Sequence, residues 1–262
     1  MLSFQRNIGL VGQAAILPIA ALGKYSLFVF ETLRRLFFPP VSLKLLLQQI
    51  TFIGNRSFFI ICFAGMLVGG MFGLQTGELM RIFGAESMLG AATGFALSKE
   101  LAPIVGSLLA TGRAGAAMAA QIASMRINEQ IDAMRVMAVN PYWYLVVPRV
   151  AAAMICMPIL TAAFVFCGVC AAFLVAVAFF NVDVGLFFEK LRMIVEIRFV
   201  VQGMIKGCAF GFVFATVCCY KGFFARGGAK GVGRATTEAV VISFVTILVS
   251  NFFLSYTQSD TE

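Results

Sequence analysis

Long apolar runs, broken by short clusters of charge, set the pattern of this chain. Ser57–Gly77 carries no charge until Glu78 and is longer than the ~18 residues that mark a spanning helix. Ser87–Thr111 is a second run, interrupted by Lys99 and Glu100. Val146–Val182 is a third, with Pro148 and Pro158 inside it. At a rise of about 1.5 Å per residue it exceeds a ~30 Å hydrocarbon core, which predicts a kink, a tilt or an extension beyond the membrane. Phe199–Tyr220 and Ala239–Tyr256, the last starting at Thr236 if its first turn is counted, complete a set of five. Strands of a membrane barrel alternate in polarity, and these runs do not. The pattern therefore predicts an all-α integral membrane protein with five transmembrane helices over about 57–77, 87–111, 146–182, 199–220 and 236–256. Gly65, Gly69, Gly70 and Gly73 recur near i,i+4 spacing in the first span and predict close packing against another helix.

Residues 1–56 follow a different pattern. Ile8–Gly23 is apolar but short and holds Gly12 and Pro18, and a basic, Leu- and Phe-rich segment with Lys24, Arg34, Arg35 and Lys44 follows. Arg6 before an apolar run also fits a cleaved signal peptide. The preferred expectation is one or two amphipathic helices lying in the membrane interface, broken at Pro39–Pro40.

Charge orients the spans. The connection between the second and third holds Arg113, Arg126, Arg135 and Arg149, and that between the fourth and fifth holds Lys221, Arg226, Lys230 and Arg234 with no acid. The opposite connections mix Glu78, Arg81 and Glu86 or Asp183, Glu189, Lys190, Arg192, Glu196 and Arg198. The positive-inside rule predicts cytoplasmic basic loops, a cytoplasmic N-terminal region and a C-terminus outside, with 257–262 as a short tail. Composition agrees: 61% of the 262 residues are hydrophobic and 12% charged, against roughly half and a quarter in soluble domains. The net charge of +8 is read as loop orientation and contact with anionic headgroups, not as nucleic-acid binding.

Two stretches carry candidate chemistry. Lys99 and Glu100 lie well inside the second span, where a charge costs at least ~2.5 kcal/mol and faces a cavity or a partner. Adjacent helical residues do not face each other, so the two are not a simple internal pair. Three readings are open: a cavity site touching substrate headgroups, a structural pair bonded to neighbouring helices, or a Lys that snorkels towards the interface. Pro103 withholds the amide that would otherwise bond the Lys99 carbonyl and predicts a kink there. The second stretch, 124–138, reads as a short amphipathic helix in a basic loop. Ile127, Ile131, Met134 and Ala138 fall on one side, Asn128, Asp132 and Arg135 on another, and Asn140–Pro141 ends it. It either rests on the membrane or docks a soluble partner.

Several classes of activity are excluded. The chain has no His, which removes His-based triads and HExxH zinc sites. Cys167 and Cys170 form C-x-x-C inside an apolar run; redox or metal chemistry needs a water-exposed thiolate, so they are read as small membrane residues. No GxxxxGK[ST] is present, so the chain does not hydrolyse nucleotide by the P-loop route.

Residues 97–141, centred on KELAPIVGSLLATGRAGAAMAAQIASMRINEQIDAMRVMAVNP, resemble the signature region of the MlaE-type permeases. These are membrane subunits of ABC transporters that move phospholipids between bacterial membranes with MCE proteins, and the chloroplast lipid-import permease is a relative. GMFGLQ at 70–75 and GVGRATTEAVV at 231–241 resemble further family motifs, and the likeness covers roughly residues 45–256. The resemblance implies a five-span permease domain over 57–256 in a homodimer in the bacterial inner membrane. It implies cytoplasmic ATPase subunits, which hold the ATP and Mg while this chain holds no cofactor, docked on a coupling helix at 124–138. There Arg126, Glu129, Gln130, Asp132, Met134 and Arg135 would make the contacts. A periplasmic MCE ring and a small cytoplasmic STAS-type subunit complete the implied assembly. Lipid would lie between the two permease copies, against positions that fall here on Phe72, Leu79, Met80, Phe83, Lys99 and Glu100. Lys99 stands where a well-known member has Arg, a point charge in place of a bidentate fork, and Phe83 replaces a Tyr.

The leading expectation is thus a non-catalytic phospholipid permease driven by a separate ATPase. The alternatives are an ion- or proton-coupled carrier using Glu100 and a structural scaffold for an MCE assembly. A lipid enzyme is disfavoured because no convergent acid, base and metal ligands are visible.

Overall fold

Apolar runs of this length bury every backbone polar group by coiling into helices, and the chain does so almost throughout. The structure, a computed structural model, describes residues 20, 22–36 and 43–259. Most of Ile8–Gly23, the Pro39–Pro40 break, Asp260 and Glu262 lie outside the described residues. Helix α1 spans residues 22–36. Five long apolar helices follow: α2 (Leu43–Ile82), α3 (Glu86–Ile127), α5 (Tyr142–Phe180), α7 (Ile197–Phe223) and α8 (Gly228–Ser259). The short α4 (Gln130–Val136) and α6 (Val184–Ile194) lie in connections at opposite ends of the bundle. No strand occurs among the described residues.

Every long helix outruns its apolar stretch, because helical hydrogen bonding continues where hydropathy has already fallen. The first spanning helix starts at Leu43 instead of Ser57, so 43–56 belongs to it and not to a separate interfacial helix. The second continues through Gly112–Ala120 to Ile127. Its interior is widened by π-turns at Leu97–Leu101 and Thr111–Gly115 without interrupting the helix, and further π-turns lie at Thr51–Asn55 and Tyr142–Val146. The third carries Pro158 within a continuous helix.

Small residues let the backbones meet. A Cβ on Gly69 would lie 2.2 Å from the Gly168 carbonyl oxygen, so any larger residue there pushes α2 off α5. Gly65 against Phe164 and Gly73 against Ala172 extend the same seam, and Gly70 faces Ala171 more loosely. Helix α7 approaches α3 in the same way, since a Cβ on Gly203 would meet the Ser98 carbonyl oxygen at 2.1 Å. Around these contacts Phe164, Phe210, Phe214, Met118 and Ile122 are fully buried. The outer faces stay bare, with Phe59, Phe63, Ile159, Phe166, Val245 and Phe252 exposed, as expected of surface that lipid covers.

Helix α1 is amphipathic and lies across the end of the bundle that carries the basic loops. Phe28 is buried among the rings of Tyr142, Tyr220, Phe223 and Phe224, and the Tyr25 hydroxyl meets that of Thr216 at 3.0 Å. Leu22, Leu27 and Phe30 point outward, the arrangement of an interfacial helix.

Candidate functional site

The charged pair in the second span is taken apart by the fold. The π-turn Leu97–Leu101 widens α3, and Pro103 supplies no amide for the Lys99 carbonyl. That orphaned carbonyl accepts a hydrogen bond from Lys206 Nζ of α7 at 3.1 Å. The same ammonium donates to Glu100 Oε1 at 2.7 Å and to Ser255 Oγ of α8 at 2.9 Å. Ser255 in turn donates to Glu100 Oε1 at 2.9 Å, and Asn251 Nδ2 donates to Glu100 Oε2 at 3.1 Å. Asn251 Oδ1 is buried without a hydrogen-bond partner among the described residues. Lys206 is fully buried, whereas the Glu100 side chain keeps 35% of its surface exposed.

This is a satisfied buried charge, with all three ammonium protons used and both carboxylate oxygens engaged. The close approach at Gly203 makes it geometrically feasible, because it brings Lys206, nearly one turn later on α7, against the Lys99 carbonyl. Lys99 points elsewhere. Its ammonium lies 5.3 Å from the Phe95 ring centroid and 5.6 Å from that of Phe199, and those rings pack edge to face. Of the expected pair, Glu100 thus takes the structural reading, bonded to α7 and α8, and Lys99 is a cation held over aromatic faces.

The cluster sits in the half of the bundle remote from the basic loops. Glu100 is about 21 Å along α3 from Glu86, and Lys206 about 14 Å along α7 from Ile197. Of the remaining expected positions, Phe72, Leu79 and Met80 lie on the last turns of α2 and Phe83 directly follows its end, all towards that same end of the bundle. Phe72 and Met80 are half-buried, and Leu79 and Phe83 are exposed at 52% and 73%.

The segment expected as one helix over 124–138 is two pieces. Helix α3 ends at Ile127, Glu129 adopts a left-handed φ of 58°, and α4 starts at Gln130. Ala138 is left-handed again at φ 59° and closes α4. Arg126 Nη1 donates to Asp132 Oδ1 at 2.6 Å across the break, and Arg135 Nη1 reaches the same oxygen at 3.3 Å. Asp132 is thereby committed to holding α4 against α3. Ile131 is fully buried, Met134 is half-buried, and the Arg135 guanidinium lies 5.6 Å from the Phe223 ring centroid. Glu129 and Gln130 are exposed, and so are Val136 and Met137 at 88% and 67%. The tip is thus apolar and rimmed by Glu129 and Gln130.

Arg113, read only as a loop charge, turns back into the bundle. It donates to the Phe52 carbonyl at 3.1 Å and to Ser57 Oγ at 2.8 Å, and so bonds α3 to the π-turn at Thr51–Asn55. Sequence reading also missed Lys206, Asn251 and Ser255. Lys206 is a lone charge inside an apolar run, the signal that singled out Lys99 and Glu100. Asn251 and Ser255 stand at i,i+4, which places them on one face of α8.

Five long apolar helices, three of them (α3, α7 and α8) bonded through a buried ion pair, define a multi-pass α-helical membrane protein. The chain belongs to the MlaE permease family, whose model, Permease MlaE, matches residues 46–257. A probable ABC transporter permease protein of Rickettsia typhi is 35% identical over 94% of this chain and 95% of its own length. The intermembrane phospholipid transport system permease protein MlaE of Haemophilus influenzae is 32% identical over 90% of this chain and 95% of its own. Protein TRIGALACTOSYLDIACYLGLYCEROL 1, chloroplastic, of Arabidopsis thaliana is 32% identical over 80% of this chain and 60% of its own.

Proposed function

We propose that this chain is the permease subunit of an ABC transporter that moves phospholipid between the inner and outer membranes. Two copies enclose a lipid between them, and separate cytoplasmic subunits hydrolyse ATP. The observation that carries this reading is the continuity of α3. One helix runs from the exposed segment at its Ile127 end to Glu100, about 39 Å away from Arg126. A push on α4 is delivered along α3 to the Glu100–Lys206 cluster, where α3, α7 and α8 are bonded together. Closure of two ATPases beneath the copies would rotate α3 and reshape the space between them.

In this reading Phe72, Leu79, Met80 and Phe83 supply the apolar wall for acyl chains. Lys99 and the exposed part of Glu100 face the headgroup. Glu129, Gln130, Met134 and the Val136–Met137 tip contact the ATPase, while Arg126, Asp132 and Arg135 hold the segment in shape. The basic loops and α1 lie on the cytoplasmic side of the inner membrane, and the C-terminus is periplasmic, where an MCE ring would exchange lipid with the permease. A small STAS-type subunit would sit with the ATPases. The ion pair between Glu100 and Lys206 weighs against a carrier that works by protonating Glu100.

The test is purification in mild detergent with mass spectrometry of the retained proteins and lipids. The expected result is an ATPase, an MCE-domain protein and bound phospholipid. Gradient-driven transport without an ATPase partner, or an assembly that holds no lipid, contradicts the proposal.

A further inference from the structure

A second polar site lies at the opposite end of the bundle. The end of α7 and the start of α8 enclose a cleft of about 330 Å³, lined by Tyr220, Lys221, Phe224, Arg226, Arg234 and Glu238 among others. Three cations face one carboxylate. Glu238 accepts from Lys221 Nζ at 2.9 Å and from Arg234 Nε at 2.7 Å, so its charge is spent in holding these two cations side by side. Arg226 is exposed and makes no hydrogen bond or ion pair among the described residues. The loop presents it there because Gly227 and Gly228 adopt φ of 97° and 66°. A Cβ on Gly231 would lie 2.0 Å from the Arg226 carbonyl, so the turn folds down onto the first turn of α8. The N-terminal end of α8 adds to the positive field through its helix dipole.

We infer that this cleft binds the headgroup of an anionic phospholipid in the leaflet on the basic side of the protein. Depth and continuity select a lipid over a soluble anion or an acidic partner. Helix α1, whose outward Leu22, Leu27 and Phe30 mark the interface, packs Phe28 on Phe224, one of the cleft walls. The cleft therefore lies at headgroup level. One turn further along α8 the surface becomes Val241, Ile242 and Val245, all exposed, which gives acyl chains a wall below a phosphate held by Lys221, Arg226 and Arg234. Basic pockets between spanning helices at this level suit anionic headgroups. The site shares no residue with the Glu100–Lys206 cluster and does not depend on what is transported.

The test uses the full chain in nanodiscs of equal phosphatidylglycerol and phosphatidylcholine, with native mass spectrometry of the lipid retained on release. Wild type should retain phosphatidylglycerol in preference. R226Q should lower that preference about fivefold, the worth of one cation at a membrane surface, with an unchanged melting temperature. K230Q removes an equal charge from the adjoining first turn of α8 but outside the cleft, and should leave the preference intact. Equal loss in both variants would reduce the effect to diffuse surface charge and overturn the inference. An unchanged R226Q would overturn it as well. Displacement of the lipid by excess inorganic phosphate would assign the cleft to a soluble anion instead.

Discussion

Removing Glu100 and removing Lys206 should have unequal effects. In E100A the fully buried Lys206 ammonium keeps only the Lys99 carbonyl and the Ser255 hydroxyl as acceptors. Stranding one partner of a buried pair costs about 3–5 kcal/mol, and the 35% exposure of Glu100 places this case near the lower figure. At about 2–4 °C per kcal/mol for a chain of this size, the melting temperature should fall by about 6–12 °C. In K206M the carboxylate left behind keeps its bonds from Ser255 and Asn251 and its exposed edge, so the loss should be nearer 1 kcal/mol. E100A/K206M leaves no stranded charge and should melt above E100A. Thermal unfolding of the detergent-solubilised chain, followed by the fluorescence of Trp143, reads all three. Equal destabilisation by the two single changes, or an additive double variant, would refute the picture of a buried ammonium held by Glu100.

Three further outcomes follow from particular contacts. G69V should prevent α2 from seating on α5, since its Cβ would lie 2.2 Å from the Gly168 carbonyl; the check is loss of folded protein on size-exclusion chromatography, with G70A as the tolerated neighbour. E129K should weaken ATPase co-purification and leave the melting temperature unchanged. D132K should lower both, because Asp132 is held by Arg126 and Arg135. F28A should lower stability by about 3–5 kcal/mol through loss of a fully packed ring, read as a fall in melting temperature.

The five spans were legible because the bilayer requires long apolar helices and nothing else in this sequence supplies them. Their ends were not, since helical bonding runs on into charged turns: Leu43–Arg56 and Gly112–Ile127 are helix without being uniformly apolar. The Lys99 carbonyl was legible through Pro103, but its partner was not. Which helix approaches that carbonyl depends on Gly203 packing on Ser98, a tertiary contact with no local pattern. Lys206 itself carried a readable signal, a single charge in Phe199–Tyr220. In 124–138 the amphipathic spacing was visible, yet the left-handed break at Glu129 was not, because Glu is no usual residue for that conformation.

The central claim is that phospholipid occupies a pocket beside α2 and is moved when ATP is used. Photocrosslinkers placed singly at Phe72 and Met80 in the assembled transporter test it directly, with the outward-facing Phe59 as a control for bulk lipid. The account predicts phospholipid adducts at Phe72 and Met80 that change with ATP and Mg, and an adduct at Phe59 that does not. Adducts absent at both positions, or insensitive to ATP at all three, would contradict it.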